Sequence, residues 1–555
     1  MSQIDYITII VFSLLIVGAG LAFRKSGTDM KSYFAAGGAV PWPISGLSLF
    51  MSFFSAGTFV VWGSIAYELG WVAITTQMAM CIGGFLVAYF IAPAWRKTNS
   101  LTTAEFVRKR LGEKSQKFYT YIILFLSLGY AGSFLYPVAK IINVSTGFPI
   151  DACVIVLGLL ILLYTVVGGL WAVMITDVLQ FVILTAAVII VVYLSFQEVG
   201  GISQFVEKAP ENFFDWTSGE YSWWFIVGFV VYSTIFIGGN WAYVQRYTSV
   251  KDTKSAKKVG LTFGWLYLLC PFIWMLPPMV YKVLNPQLSG LENEGAYLLM
   301  CKQVLPMGML GLMLGGMVFA TASSVNTTLN LAASVITNDI FRVIRPKASL
   351  KSTMFVAKLS TVLFGIGTII VALLVPAAGG IVNVVLSIGA LTGCALYGPP
   401  IWACFSKRHT GNSILWITII SLIINIGLKF LAEPLFGAPL SRANEMLFGA
   451  IQPLLFLAVY ELFAWYKDKE SEQYHEFKTM IGVTQVVDIE ESEQNTFGLK
   501  VLGVTLAMVG ILVMVLGSIA KESRGIVLTV GLIILIVSAF IHPKMKIKTL
   551  LKHNQ

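Results

Sequence analysis

The sequence predicts an all-α polytopic membrane protein, and three observations lead there. Of 555 residues, 57% are hydrophobic and only 12% charged, with a mean hydropathy of +0.80. A soluble chain is about 45–50% apolar and about 25% charged. Apolar runs of about twenty residues, each long enough to cross a bilayer as a helix, fall near 4–23, 43–66, 72–95, 118–143, 150–168, 174–196, 222–244, 259–281, 306–337, 355–376, 380–404, 413–432, 445–466, 499–520 and 525–542, about fifteen spans. Finally, Lys and Arg are biased to one side of these runs. With the N-terminus outside, the inner segments 24–42, 96–117, 245–258, 338–358, 405–412, 467–500 and the tail hold 30 of the 38 basic residues. The outer loops hold 7, and Lys140 lies within a span. Positive charge marks the cytoplasmic side, so the N-terminus is expected out and the C-terminus in. The net charge of +10 is then a topology signal rather than a nucleic-acid footprint.

No signal-peptide cleavage pattern follows the first run, so residues 1–42 are expected to be a retained leading helix and a cytoplasmic loop. Residues 43–404 divide into two five-helix sets, 43–196 and 222–404, and form the expected transport core. The first member of each set is interrupted. In 43–66 the break is at Ser52, Ser55, Ala56, Gly57 and Thr58; in 222–244 it is at Gly238, Gly239 and Asn240. Paired interrupted helices in corresponding halves point to a transporter site, because unwound backbone offers carbonyls to a cation and amides to a solute. Each break on its own is also compatible with a simple kink filled by neighbours.

Between the third and fourth spans, Leu101–Arg110 reads as a short cytoplasmic helix. Thr102 or Thr103 can cap it, Glu105 lies in its first turn, and Arg108 to Arg110 lie near its end. Lys140 is close enough to the outer end of its span to snorkel. Asp177, in Gly168–Gln180, is a carboxylate at or inside the membrane boundary. Such a residue is costly and is a functional candidate by default, although Thr176 and Asp177 could also cap the next helix.

The run from Met309 to Phe341 begins apolar and glycine-rich, then becomes small and oxygen-bearing. Ala320, Ser323, Ser324 and Thr327 fall at i, i+3, i+4 and i+7 and share one helical face. Hydroxyls at mid-membrane depth suit a bare cation, because a hard ion takes oxygen ligands. The same residues also suit close helix packing. Residues 405–466 hold two further spans, 467–498 read as a polar cytoplasmic linker, and 499–555 as an appended hairpin with a basic tail.

The remaining composition excludes other classes. Cys81, Cys153, Cys270 and Cys394 lie in apolar runs, Cys301 near a loop and Cys404 near a helix end, which is neither a disulfide framework nor a zinc spacing. His409, His475, His542 and His553 lie in loops, at a helix end or in the tail, which argues against a histidine proton relay. There is no HExxH, GxSxG or Walker motif, so no catalytic constellation is offered and the chain is not expected to be an enzyme.

Four landmarks then give a resemblance. They are Thr102 to Arg110, Gly168 to Gln180 (Gly-Gly-x-x-Ala-Val-x-x-Thr-Asp-x-x-Gln), Gln245-Arg246 after a broken helix, and Ala320 to Asp339. In order and spacing the chain resembles the sodium/solute symporter family of sodium/sugar, sodium/proline and sodium/sialic acid carriers, over roughly residues 1–465. The resemblance implies a LeuT-type 5+5 inverted repeat with flanking helices and Na⁺-driven uptake by alternating access. It implies a shared Na⁺ site at the Met51 and Phe54 carbonyls with Ala320, Ser323 and Ser324. Some relatives hold a second Na⁺, here at Asp177, Asn326 and Thr327, with asparagine standing where those relatives have serine. The solute pocket it implies lies between the breaks, with Thr58, Phe59, Trp62, Gln77, Ser233, Phe236, Asn240, Tyr267 and Ser387 as candidate lining.

The chain departs from the sugar carriers at Gln77 and Tyr267, which align with a charged Glu and Lys. It departs again at Phe236, aligned with a gating tyrosine, and at Gly389, aligned with a glutamine. The proline carriers' aspartate on the first broken helix is also missing: the local run is Ser55 to Thr58. The expected activity is Na⁺ symport of a small organic solute, most suitably a sugar or polyol, in the plasma or bacterial inner membrane. The expected partners are Na⁺, the solute and the lipid bilayer. The rivals are symport of an amino acid or an organic acid such as sialic acid, a proton-coupled carrier using Asp177, and a non-transporting sensor on the same fold.

Overall fold

The computed structural model describes residues 1–22, 40–100, 103–164, 170–341, 344–483, 493–520 and 523–541. The apolar stretches among them are helical. After α1 (Gln3–Ala22), the first set opens with α2 (Trp42–Met51), which stops at Ser52. The chain resumes as a π-helical turn (Thr58–Trp62) and α3 (Gly63–Leu69). α4 (Trp71–Leu86) runs through a second π-helical turn into α5 (Ala92–Lys97), and α6 (Thr103–Leu111) is a short connector. α7 (Glu113–Thr146), α8 (Ile150–Tyr164) and α9 (Leu170–Val199) complete the set.

Beyond α10 (Ile202–Lys208), the second set opens with α11 (Trp223–Gly239), which turns at Asn240 into α12 (Trp241–Thr248) with a 61° bend. α13 (Thr253–Trp274) and α14 (Leu276–Leu284) form one long span, and α15 (Ala296–Val304) is a loop helix. α16 (Met309–Val335), α17 (Leu350–Leu374) and α18 (Ile381–Phe405) complete the set. α19 (Gly411–Phe436), α20 (Arg442–Tyr466), α21 (Glu472–Val483), α22 (Glu493–Ile519) and α23 (Arg524–Ile541) follow.

Eleven of the described spans are long and apolar enough to cross a membrane, twelve counting the bent pair α11–α12. α2, residues 150–162 and residues 309–322 are shorter apolar helices.

Packing between the two sets is reciprocal. The broken helix of each set packs on the second helix of the other, α2 on α13 and α11 on α4. The second members pack on each other (α4 on α13), as do the third members (α7 on α16) and the fourth (α8 on α17). Small residues set the closest of these crossings. A Cβ on Gly84 would lie 2.9 Å from the Gly264 backbone, and one on Gly260 would lie 2.7 Å from Ala88. Gly260 and Gly264 are four apart on one face, the spacing by which helices approach closely in a membrane.

Two expectations change here. Lys140 does not snorkel: its Nζ lies 3.9 Å from the buried Glu294 carboxylate, because a partner in the protein replaces the reach to water. Asp177 is not a cap; it stands well inside α9, behind the helix start at Leu170. The linker after residue 467 contains α21, whose Phe477 is buried on Phe106 of α6. Thr102, Gly168 and Gly169, the remaining linker residues 484–492 and the tail from residue 542 lie outside the described residues.

The closing hairpin is packed in, not free. Leu502, Leu506, Val509, Val513 and Leu516 of α22, with Val527, Val530 and Ile534 of α23, share one cluster with Phe12 and Ile16 of α1 and Met174 and Ile175 of α9.

Candidate ion and solute site

The first break is made by hydroxyls competing with the helix ladder. The Ser55 N–H donates to the Thr58 hydroxyl (3.2 Å), and the Thr58 N–H donates to the Ser55 carbonyl (3.0 Å). In an unbroken helix those two N–H groups would reach back four residues, to the carbonyls of Met51 and Phe54. The break therefore directs the helical donors away from the two oxygens expected to bind Na⁺. The Thr58 hydroxyl donates in turn to the Phe53 carbonyl (2.6 Å), and the Gly57 N–H donates to the Ser55 hydroxyl (3.3 Å).

The hydroxyl-bearing helix α16 meets this break directly. The Ala56 N–H donates to Thr321 Oγ1 at 3.0 Å, and that hydroxyl donates to the Met317 carbonyl. Thr321 is flanked in sequence by Ala320, which is buried, and lies one turn before Ser324, which faces a cavity together with Met51 and Ser52. The side chains of Ser323, Asn326 and Thr327 lie outside the described residues.

The second break is satisfied differently. A helix end leaves its last carbonyls without partners. At the end of α11, the Phe236 carbonyl accepts the Asn240 N–H, the Ile237 carbonyl accepts the Tyr247 hydroxyl (3.2 Å), and the Gly238 carbonyl accepts Trp95 Nε1–H (2.7 Å). The Asn240 side chain caps α12 by accepting the Ala242 N–H (3.0 Å), while its amide donates to the Tyr397 hydroxyl (3.3 Å).

Between the two breaks and α7, α9 and α18 lies a cavity of about 90 Å³. Among the candidates, Met51, Asp177, Phe236, Asn240 and Ser324 line it; Tyr130, Tyr243, Tyr397 and Arg246 line it too. The Phe236 ring sits 5.3–5.7 Å from the rings of Tyr232, Tyr243 and Tyr397. Asp177 is buried and accepts the Ser48 hydroxyl at 2.6 Å; Arg246 Nη2 stands 3.9 Å from the same carboxylate. Arg246 also donates from Nε to Ser48 Oγ at 3.4 Å. Arg246, the single cation on the cavity wall among the described residues, thus already faces an anion.

The other solute candidates scatter. Thr58 is spent on the break, and Phe59 packs between Phe54 and Tyr297. Trp62 packs on Phe229, and the Ser233 hydroxyl returns to the Val230 carbonyl. Tyr267 stacks on Phe263 and edges onto Phe50, inside the helix bundle. Ser387 is turned toward α19, where Lys429 donates to it at 2.9 Å beside Glu445.

Gln77 stands apart. It is 1% exposed, and among the described residues neither its amide oxygen nor its amide nitrogen has a hydrogen-bond partner. Sequence reasoning passed over Thr321, Ser48, Tyr130 and Tyr397 as site residues. It noted Arg246 only as a landmark, although the rule that singled out Asp177, a charge at the membrane boundary, covers Arg246 equally.

Residues 33–421 match the sodium:solute symporter family. The sodium/sialic acid symporter SiaT of Proteus mirabilis is 25% identical over 478 residues, covering 83% of this chain and 96% of the relative. The sodium/glucose cotransporter of Vibrio parahaemolyticus is 27% identical over 505 residues, covering 82% and 90%. Among solved structures, a substrate-bound, outward-open Na⁺-coupled sialic acid symporter superposes with a TM-score of 0.68 over 83% of this chain and 98% of its own, at 22% identity. Mhp1, a nucleobase-cation-symport-1 family transporter, superposes at 0.52 with 15% identity over 80% of this chain and 96% of its own. At these identities the structural likeness is one of fold.

Proposed function

The chain belongs to the sodium:solute symporter family and is a Na⁺-coupled solute symporter of the plasma or inner membrane; from that premise we propose that it imports an uncharged polyhydroxy solute, a sugar or polyol. The observation that carries this reading is Gln77, a buried amide with an unpaired donor and an unpaired acceptor. Leaving both unmet costs on the order of 1–3 kcal/mol each. A solute hydroxyl both donates and accepts, so one hydroxyl serves both needs. Phe236 and Asn240 on the cavity wall would add an aromatic face and an amide; Trp62 and Ser233, held here on Phe229 and the Val230 carbonyl, would have to turn toward the solute to join them.

A carboxylate solute fits less well. The cation on the cavity wall, Arg246, faces Asp177, and Lys140 faces Glu294. An acid such as sialic acid, the solute in the name of one relative, would have to break one of these pairs.

The coupling Na⁺ is assigned to the carbonyls of Met51 and Phe54 with Ala320, Ser323 and Ser324, because the break turns the helical donors of both carbonyls elsewhere. Na⁺ there joins the first broken span to α16 and favours the state open to the outside; the solute then closes the outer gate. At the second candidate site, Arg246 already supplies Asp177 with a counter-charge, which supports one Na⁺ per cycle. We further propose fifteen crossings, N-terminus out and C-terminus in, as a LeuT-type inverted repeat within residues 43–404. The reciprocal packing of the two sets supports this. In that orientation the cavity lies on the cytoplasmic side of both breaks.

The deciding experiment is uptake into proteoliposomes of labelled sugars, polyols, amino acids and sialic acid, under an inward Na⁺ gradient and with K⁺ in its place. Na⁺-dependent accumulation of a neutral sugar or polyol is expected. Accumulation of an acid or amino acid instead would overturn the solute assignment.

A further inference from the structure

We propose that α21, the helix of the linker, positions the second broken span through a relay of three rings, Phe477 on Phe106 on Trp95, whose last member holds the Gly238 carbonyl. The relay rests on the reading above only in that the break at residues 238–240 serves transport. α21 itself lies beyond residues 33–421, which carry the family match.

The contacts are continuous. Trp95, at the inner end of the α4–α5 span, is fully buried and donates Nε1–H to the Gly238 carbonyl at 2.7 Å. That bond satisfies one of the carbonyls orphaned where α11 ends. The Phe106 ring meets Trp95 edge-to-face, with centroids 4.9 Å apart, and is itself buried. The Phe477 ring meets Phe106 the same way at 5.5 Å. Edge-to-face pairs fix ring orientation as well as distance, so the set of Phe477 bears on the angle at which Trp95 presents its N–H. α6 also packs against α12 directly, so both sides of the break touch the relay.

α21 is held in place from a second direction. Gln473 Oε1 accepts the Gly411 N–H at 2.8 Å, and the Ser471 N–H donates to the Lys407 carbonyl at 2.9 Å. Arg110, fully buried on α6, donates to the Ser406 and His409 carbonyls at 2.8 and 3.2 Å, and its guanidinium lies 5.4 Å from the Tyr474 ring centroid. The linker helix therefore clips α6 to the turn that ends α18. α6 belongs to the first set and α18 to the second, and alternating access moves parts of the two sets against each other. A clip across them selects which arrangement the break adopts.

The test uses the full chain in proteoliposomes. Phe477→Ala is expected to lower turnover per folded transporter by at least about fivefold, and Phe477→Leu, which refills the space, to restore most of it. Trp95→Phe keeps the ring and removes the N–H. Because the two changes lie on one line of contacts, the double variant is expected to be little worse than the worse single variant. Hydrogen exchange provides a readout independent of uptake: in Phe477→Ala, residues 236–248 should lose protection while α22 and α23 keep theirs. Additive effects of the two changes, or unaltered exchange at 236–248, would overturn the relay. Absence of Na⁺-driven uptake in the unaltered chain would instead overturn the transport reading, and the exchange measurement would still decide the relay.

Discussion

At the residue scale, the proposed ion site rests on the Met51 and Phe54 carbonyls, whose helical donors the first break turns elsewhere. Residue types revealed the break, through Ser52, Ser55 and Thr58, but not which carbonyls it releases. That required the turn of Ser55 N–H onto the Thr58 hydroxyl, and until then Met51 and Phe54 rested on resemblance. Ser324 adds a side-chain oxygen on the cavity wall. Ser324→Ala should raise the Na⁺ concentration for half-maximal uptake by about tenfold or more, the equivalent of about 1.4 kcal/mol, while changing thermal stability little. Na⁺ titration of uptake checks this, and an unchanged midpoint would remove Ser324 from the site. Gln77 belongs to the same scale. Gln77→Leu removes two unmet polar atoms and should leave the fold as stable or more so, yet raise the solute KM by about tenfold or more. A loss of stability with unchanged KM would make Gln77 a structural amide. Tyr267 and Ser387 were legible as polar groups on the right helices, but their directions were not. Tyr267 stacks on Phe263, and Lys429 holds Ser387.

At the element scale, the long apolar spans were readable because their length and apolarity leave few alternatives. The short polar helix α21 was not, because only its buried Phe477 marks a docked face within a charged segment. α1 gives a second example. Its Asp5 is buried and accepts the N–H groups of Gly308 (2.8 Å) and Gly311 (3.1 Å), capping the helix that carries Ser324. Only a glycine admits this approach, since a Cβ at Gly311 would lie 2.2 Å from the Asp5 carbonyl. One connection also gives a pH dependence. His409, in the turn before α19, is buried with Nε2 on the Leu457 carbonyl (3.2 Å) and Nδ1 on the Ser413 hydroxyl (3.1 Å). Burial, with the nearby Arg110 charge in a smaller part, holds its imidazole below the ordinary value. The unfolded chain therefore takes up this proton first as pH falls. The contribution of His409 is whole above about pH 6.5 and is lost as pH drops below it. Melting temperatures at pH 7.5 and 5.5 should differ less in His409→Gln than in the unaltered chain. An equal difference in both would take His409 out of the acid response.

At the scale of the whole molecule, the fold joins the two scales below it. The two breaks meet, with the Phe53 ring of the first against the Phe236 and Tyr243 rings of the second, so one ion and one solute can be enclosed between this pair of helices. What the ion can do is set by charge. One charge crossing 100 mV yields about 2.3 kcal/mol, and a tenfold Na⁺ gradient adds about 1.4 kcal/mol. Together they support an accumulation of roughly several hundredfold for a neutral solute, and two ions would support about the square of that. The buried network decides between these values. A second Na⁺ at Asp177 would compete for the charge that Arg246 faces 3.9 Å away, and a buried guanidinium stripped of its partner costs on the order of 3–5 kcal/mol. That is as much as the extra ion would contribute. The expected stoichiometry is therefore one positive charge per solute, a Hill coefficient for Na⁺ near one, and an accumulation ratio that stops near the one-ion limit. Simultaneous measurement of current and labelled-solute flux at a fixed potential reads the ratio directly. A value near two would mean that Arg246 swings away from Asp177 during the cycle, and would move Asp177 from structural pair to ion ligand.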